Sequence, residues 1–167
     1  MLLSIKFVMA SCNPPPNDTE IVLRGGCRCG NITYTSCTLP VDIGNCHCRA
    51  CQQISGSPFL TLADFPTSSI QWISVDTKGR PMCGDSAMAK YSSNSFAERG
   101  FCAKCGSTMM IWYKCDPARY HIAAASIDEE SLKGELPRMR NHIFLKDKAH
   151  WEVLGEDGLD RHEGFSE

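Results

Sequence analysis

Seven cysteines fall into three tight groups: Cys27-x-Cys29, Cys46-x-Cys48-x-x-Cys51 and Cys102-x-x-Cys105. Thiols two or three residues apart rarely meet disulfide geometry, but they readily grip one metal ion. The chain has 11 cysteines, an odd count that argues against a closed disulfide framework. These features point to thiolates on zinc in a reducing compartment. Cys102-Ala103-Lys104-Cys105-Gly106 has the outline of a zinc knuckle, which supplies half of a tetrahedral site. Cys27 and Cys29 are the natural other half. Four thiolates saturate the ion, so that site is closed and structural.

The trio Cys46, Cys48 and Cys51 is different. Three protein ligands with one exchangeable position is the usual catalytic pattern. Three thiolates also donate strongly and weaken the ion as a Lewis acid, which suits a hydrolase poorly. A fourth thiolate taken from a small-molecule thiol fits such a site better, because the ion keeps that thiol deprotonated and nucleophilic. The alternative is a fourth protein ligand, from His47, Cys37 or Cys83, giving a second closed site and a non-catalytic, zinc-stabilised binding module. His47 lies between two ligands, so its ring is expected to point away. Cys12, Cys37, Cys83 and Cys115 read as ordinary thiols.

These groups need elements to carry them. Residues 20–35 alternate around a Gly-rich centre and read as two strands with Cys27 and Cys29 at their turn. CRACQQI (48–54) reads as one or two helical turns ended by Ser55-Gly56-Ser57-Pro58. Strand-like pieces follow at 59–65, 69–75, 88–93, 95–101, 108–113 and 119–127, then a brief helix at 128–132. NHIFL (141–145) and HWEVL (150–154) are the apolar runs of the tail. Many short strands with little helix predict a mainly β fold of folded antiparallel sheets.

The 167 residues suffice for one domain with a core. Residues 1–20 read as a flexible N-terminal extension with a Pro14-Pro15-Pro16 spacer, and 21–167 as a single domain. Net charge is -2, and no basic run suggests a nucleic-acid surface. No apolar run reaches the ~18–20 residues of a membrane span. A cytoplasmic location is expected, with no membrane or nucleic-acid partner.

Gly26-Cys27-Arg28-Cys29-Gly30-Asn31-Ile32-Thr33-Tyr34, Cys46-His47-Cys48-Arg49-Ala50-Cys51 with Ser55-Gly56-Ser57, and Arg99-Gly100-Phe101-Cys102-Ala103-Lys104-Cys105-Gly106-Ser107 together resemble the glutathione-dependent formaldehyde-activating enzyme family, which includes centromere protein V-like proteins. The resemblance runs from about Leu23 to Gly164. It implies a β-tent fold with two zinc ions per chain, one structural on Cys27, Cys29, Cys102 and Cys105, the other catalytic on Cys46, Cys48 and Cys51. It also implies a carbon–sulfur lyase whose thiol substrate is glutathione. The electrophile is formaldehyde in the family's namesake reaction, and another one would define a specialised pathway enzyme with the same site. His47 and Arg49 are the expected proton-handling neighbours of the catalytic zinc. Ser55, Gly56 and Ser57 are the expected substrate contacts.

Overall fold

Alternation makes these segments strands. In FLTLADF, Leu60 and Leu62 face one way while Ala63 and Phe65 face the other, and all four are buried. The computed structural model describes residues 20–75, 81–92 and 94–165. In chain order its strands begin with β1 (Leu23–Gly26), β2 (Ile32–Ser36), β3 (Asp42–Cys46), β4 (Leu60–Pro66) and β5 (Ile70–Val75). They continue with β6 (Pro81–Cys83), β7 (Ala89–Tyr91), β8 (Ala97–Phe101), β9 (Thr108–Tyr113) and β10 (Asp116–Ala123). The last are β11 (Ile127–Asp128), β12 (Asn141–Ile143) and β13 (Asp160–Arg161). One helix, α1 (Arg49–Ser55), follows β3 and ends at Gly56 in the left-handed conformation (φ 66°), where a residue without Cβ is at ease.

Two sheets result, in the orders β11-β1-β2-β5-β6 and β13-β12-β3-β4-β10-β9-β8-β7. They share one core, in which Leu23, Ile32, Tyr34 and Trp72 of the smaller sheet meet Ile43, Ala63, Phe65, Met110 and Ile122 of the larger. Tyr34 and Trp72 stack at a centroid distance of 4.9 Å. This is the mainly β, β-tent arrangement expected from the sequence. The opposite face of the larger sheet carries a second cluster, Cys46, Leu60, Leu62, Ile111 and Ala123, onto which Cys51 of α1 packs. The large sheet is thus buried on both sides: one face makes the fold, the other carries the trio.

Two features depart from expectation. β12 pairs in parallel with both β3 and β13. The chain returns to the open edge of β3 after a long excursion, and only a long connection permits parallel pairing. HWEVL (150–154) forms no strand: Trp151 is 73% and Val153 92% exposed. A turn closes there, with Glu152 N–H donating to Ala149 O, and the Glu152 carboxylate is aimed inward. The brief helix at 128–132 is a single 3-10 turn, Glu129–Ser131, with the Asp128 carboxylate accepting from Glu130 N–H. The extension expected over residues 1–20 lies, apart from Glu20, outside the described residues.

Candidate metal centres

The β1–β2 turn brings Cys27 and Cys29 together, and the β8–β9 turn brings Cys102 and Cys105 to the same place. All four Sγ atoms lie within 4.8 Å of one another. Cys27 and Cys29 Sγ are 3.6 Å apart, and Cys29 and Cys102 Sγ are 3.8 Å apart. A tetrahedron of Zn–S bonds of about 2.3 Å has edges of about 3.8 Å, so the spacing fits zinc. Backbone geometry holds the thiols: Ile32 N–H donates to Cys27 Sγ at 3.2 Å, and Gly106 N–H to Cys102 O at 2.8 Å. Gly106 turns the knuckle at φ 76°. Hydrogen bonds from Ser107 hold the exposed Cys105 thiol down, to about 5. Burial works the other way on Cys102, pushing its thiol up to about 12. The group spans positions 27 to 105, so a metal there ties the first hairpin of the small sheet to the large one.

The trio sits where β3 runs into α1. Cys46 ends the strand, Cys48 precedes the helix and Cys51 lies on its first turn, fully buried. Their Sγ atoms also lie within 4.8 Å of one another. Without a cation, thiols this close cannot all ionise. Hydrogen bonds from Cys46 and Cys51 pull the Cys48 thiol down to about 2, while the contact with Cys48 pushes Cys46 up to about 12. Cys51 is held protonated still more firmly by Cys46 and Cys48. A divalent cation removes this conflict, so the donor set fits a metal. Among the described residues the group stops at three cysteines.

His47 does turn away from the trio. Its ring is 0% exposed, with Nε2 2.8 Å from His142 Nδ1 and Nδ1 3.2 Å from Glu152 Oε2. His142 Nε2 in turn lies 2.8 Å from Asp157 Oδ2. Burial holds His47 below the ordinary histidine range, against the pull of Glu152. Arg49 is exposed on the first turn of α1, where its Nη1 donates to Gln52 Oε1 at 3.3 Å. Ser55 Oγ donates to Cys51 O at 2.8 Å and accepts from Ser57 N–H at 3.2 Å, closing the helix end. Ser55 also lines a groove of about 460 Å³ with Arg28, Ser107 and Ser126, which Gly56 and Ser57 do not line. Phe59 packs against His47 at a centroid distance of 5.1 Å, while Trp112 packs on the shared core, away from the trio. Cys37 and Cys115 are free, exposed thiols, but Cys83 is disulfide-bonded, contrary to its expected role as an ordinary thiol.

Gln52 carried no signal in the sequence. Its buried carboxamide donates to His47 O at 2.5 Å and Asp147 O at 2.7 Å, tying the trio's loop to the C-terminal segment. His142, Glu152 and Asp157 were also missed: their residue types were visible, but their convergence on His47 depends on tertiary structure.

The chain is a mainly β protein with two converging cysteine groups, one of four thiols and one of three, each of which could hold a metal ion. The chain belongs to the glutathione-dependent formaldehyde-activating enzyme family, whose family profile matches residues 22–147. It is 29% identical over 101 residues to an uncharacterised lyase of Schizosaccharomyces pombe. That match covers 60% of this chain and 65% of the relative, just under two thirds of its length. It is 23% identical over 147 residues to a putative glutathione-dependent formaldehyde-activating enzyme of Halomonas elongata, covering 84% of this chain and 86% of the relative. A crystal structure of a Rhodobacter sphaeroides protein aligns with TM-score 0.47 and 22% identity, over 70% of this chain and 93% of that one.

Proposed function

We propose that this chain is a zinc-dependent carbon–sulfur lyase that joins a thiol, glutathione in the first instance, to a small carbonyl and cleaves the adduct in reverse. The observation that carries this reading is the contrast between the two groups: four thiols in one, three in the other among the described residues. The other candidates to close the trio are committed elsewhere. Both His47 nitrogens face other partners, Cys83 is disulfide-bonded, and Cys37 is exposed and outside the group. This disfavours the non-catalytic scaffold.

Zinc held by Cys46, Cys48 and Cys51 supplies one thing to this chemistry, a substrate thiol kept as thiolate at neutral pH. The second zinc, on Cys27, Cys29, Cys102 and Cys105, is structural. His47 and its partners fix the loop that presents Cys46 and Cys48. Arg49, exposed beside the trio, offers a cation to the carboxylates of glutathione. The groove lined by Ser55 falls within the ~300–1,000 Å³ of ligand pockets and has room for a tripeptide, while Gly56 ends the helix beside it without lining it. No helix is long and apolar enough to cross a membrane among the described residues. The free thiols of the two groups suit the reducing cytoplasm expected from the sequence, whereas the Cys83 disulfide is of a kind rare there.

Cys48→Ser tests the reading. Turnover of glutathione with formaldehyde, followed by exchange NMR of the hydroxymethyl adduct, should fall at least ~100-fold, while the protein stays folded with one zinc bound. Wild-type turnover in that variant would contradict it.

A further inference from the structure

The four-thiol group is buried on one side and open on the other. Cys27 and Cys102 are 7% and 0% exposed, whereas Cys29 and Cys105 are exposed. The trio differs: Cys46 and Cys51 are buried and Cys48 is half-buried. The centre that holds the fold together is therefore the more accessible of the two. Each exposed thiol directly follows an exposed cation, Arg28 before Cys29 and Lys104 before Cys105, and electropositive, accessible surroundings make a thiolate reactive. The two thiols come from different turns, Cys29 from the β1–β2 turn and Cys105 from the β8–β9 turn, yet their Sγ atoms lie within 4.8 Å of each other. Ser107 pins those turns without a metal: its Oγ accepts from Arg28 N–H at 3.1 Å and lies 3.2 Å from Cys105 Sγ. The groove of about 460 Å³ gives small solutes a path to Cys105.

We propose that Cys29 and Cys105 form a peroxide-reactive pair: hydrogen peroxide oxidises them to a disulfide across the two turns, and that covalent link replaces the metal as the tie between the sheets. The proposal rests on the structural-zinc reading above and on nothing about the trio's substrate. In the first step a lone pair of the Cys105 thiolate attacks one oxygen of the peroxide. The S–O bond forms, the O–O bond breaks, and the hydroxide that leaves takes a proton from solvent. The Cys29 thiolate then attacks the sulfenic sulfur. The S–S bond forms, the S–O bond breaks, and a second hydroxide leaves and is protonated. Two electrons pass from the two sulfurs to the peroxide, which ends as two waters. Cys27 and Cys102 are then the remaining donors, too few for a structural zinc site, so the ion leaves. Closure across the turns is favoured over closure within one. Cys27 and Cys29 are two residues apart and Cys102 and Cys105 three, spacings that seldom meet disulfide geometry, and Cys102 is fully buried. The new bond joins the same two turns that the zinc joined, so losing the ion does not part the sheets. A dithiol reductant reverses it.

The test treats the full zinc-loaded chain with a stoichiometric amount of hydrogen peroxide and follows zinc release with a chromophoric chelator. Free thiols are then capped and disulfides mapped by tryptic mass spectrometry. Trypsin cleaves after Arg28 and after Lys104, so it separates Cys27 from Cys29 and Cys102 from Cys105. The expected result is loss of the four-thiol zinc alone, a cross-link between the peptides that begin at Cys29 and Cys105, and recovery of both thiols with dithiothreitol. Cys48→Ser, which keeps only the four-thiol zinc, should release it at the wild-type rate. So should Cys37→Ser with Cys115→Ser, which removes the other exposed free thiols among the described residues. The oxidised chain should keep its circular dichroism spectrum and a cooperative melt, whereas the reduced chain stripped of zinc by a chelator should lose both. A disulfide within one turn, a disulfide among the trio in place of the cross-turn link, or zinc retained after the peroxide is consumed would overturn the proposal. Unfolding on oxidation would overturn the exchange of metal for disulfide. A starting protein whose four-thiol centre holds no zinc would instead remove the structural-zinc reading beneath it.

Discussion

His47 Nε2 and His142 Nδ1 stand 2.8 Å apart at the centre of a buried line that runs from Glu152 to Asp157. Two tautomers serve a pair of neutral rings; the one in which His47 donates to His142 and His142 to Asp157 puts its protons in the two shorter contacts and leaves the His47–Glu152 contact, the longest at 3.2 Å, without one. The line fastens the loop between Cys46 and Cys48 to β12 and to the turn after Ala149. It lies where it can hold the two thiols of that loop in position.

Removing the middle of this line should therefore weaken the open centre without touching a thiol. His142→Ala leaves the buried His47 Nε2 without its partner, at a cost of about 1–3 kcal/mol in stability. Affinity of the trio for its metal should drop about 10- to 100-fold, as for partners that orient ligands. Competition with a chromophoric zinc chelator reads this directly, and unchanged affinity would reduce the line to packing.

The outer end of the line gives a pH signature. The Asp157 carboxyl is held below its ordinary value by Leu159 N–H and then by His142. A lowered carboxyl binds fewer protons in the folded than in the unfolded chain, so its contribution is full above about pH 4 and fades as pH falls through the folded value. The melting temperature of Asp157→Asn should lie below wild type at pH 7, and the gap should close as the pH falls below about 4. A gap that persists or widens in acid would contradict the assignment.

The four-thiol group is expected to carry stability. Cys102→Ser removes its most buried ligand, and structural zinc sites contribute apparent binding energies of about 10–16 kcal/mol. The variant should unfold or aggregate at room temperature, as judged by circular dichroism. Wild-type melting would show that the group does not hold the two sheets together.

Two glycines on the two sheets should respond differently to alanine. At Gly25 a Cβ would meet the Tyr34 ring and the Ser126 backbone carbonyl, neither of which can move cheaply, so Gly25→Ala should cost about 1–3 kcal/mol. At Gly44 the nearest obstacle is the end of the Asn141 side chain, which can rotate away. Gly44→Ala should keep most of the stability. Thermal melts of the pair check the difference, and equal losses would contradict it.

Much of this was legible in the chain. The cysteine groups converge as their spacing predicts, because Cys-x-Cys and Cys-x-x-Cys fix two ligands locally and leave only the pairing of groups to the fold. Strands rich in β-branched and aromatic residues, such as Ile70–Val75 and Thr108–Tyr113, were visible in their pattern. β3 was not. DIGNC carries Asp, Gly and Asn, residues poor in strands, and its pairing is imposed by neighbours on both sides. Missing β3 hid the strand that carries Cys46 and aligns Asp42 and Gly44 with it. The residues around His47 and Asn141 come together only through β12, whose parallel register no local signal specifies.

The central claim is that the trio leaves a position for a substrate thiol. Zinc K-edge absorption of the two-zinc protein, with and without glutathione, measures it. The expected result is a sulfur count at the open centre that rises from three to four on adding glutathione, with the four-thiol centre unchanged. Four sulfurs at both centres before glutathione is added, or no change afterwards, would contradict the account.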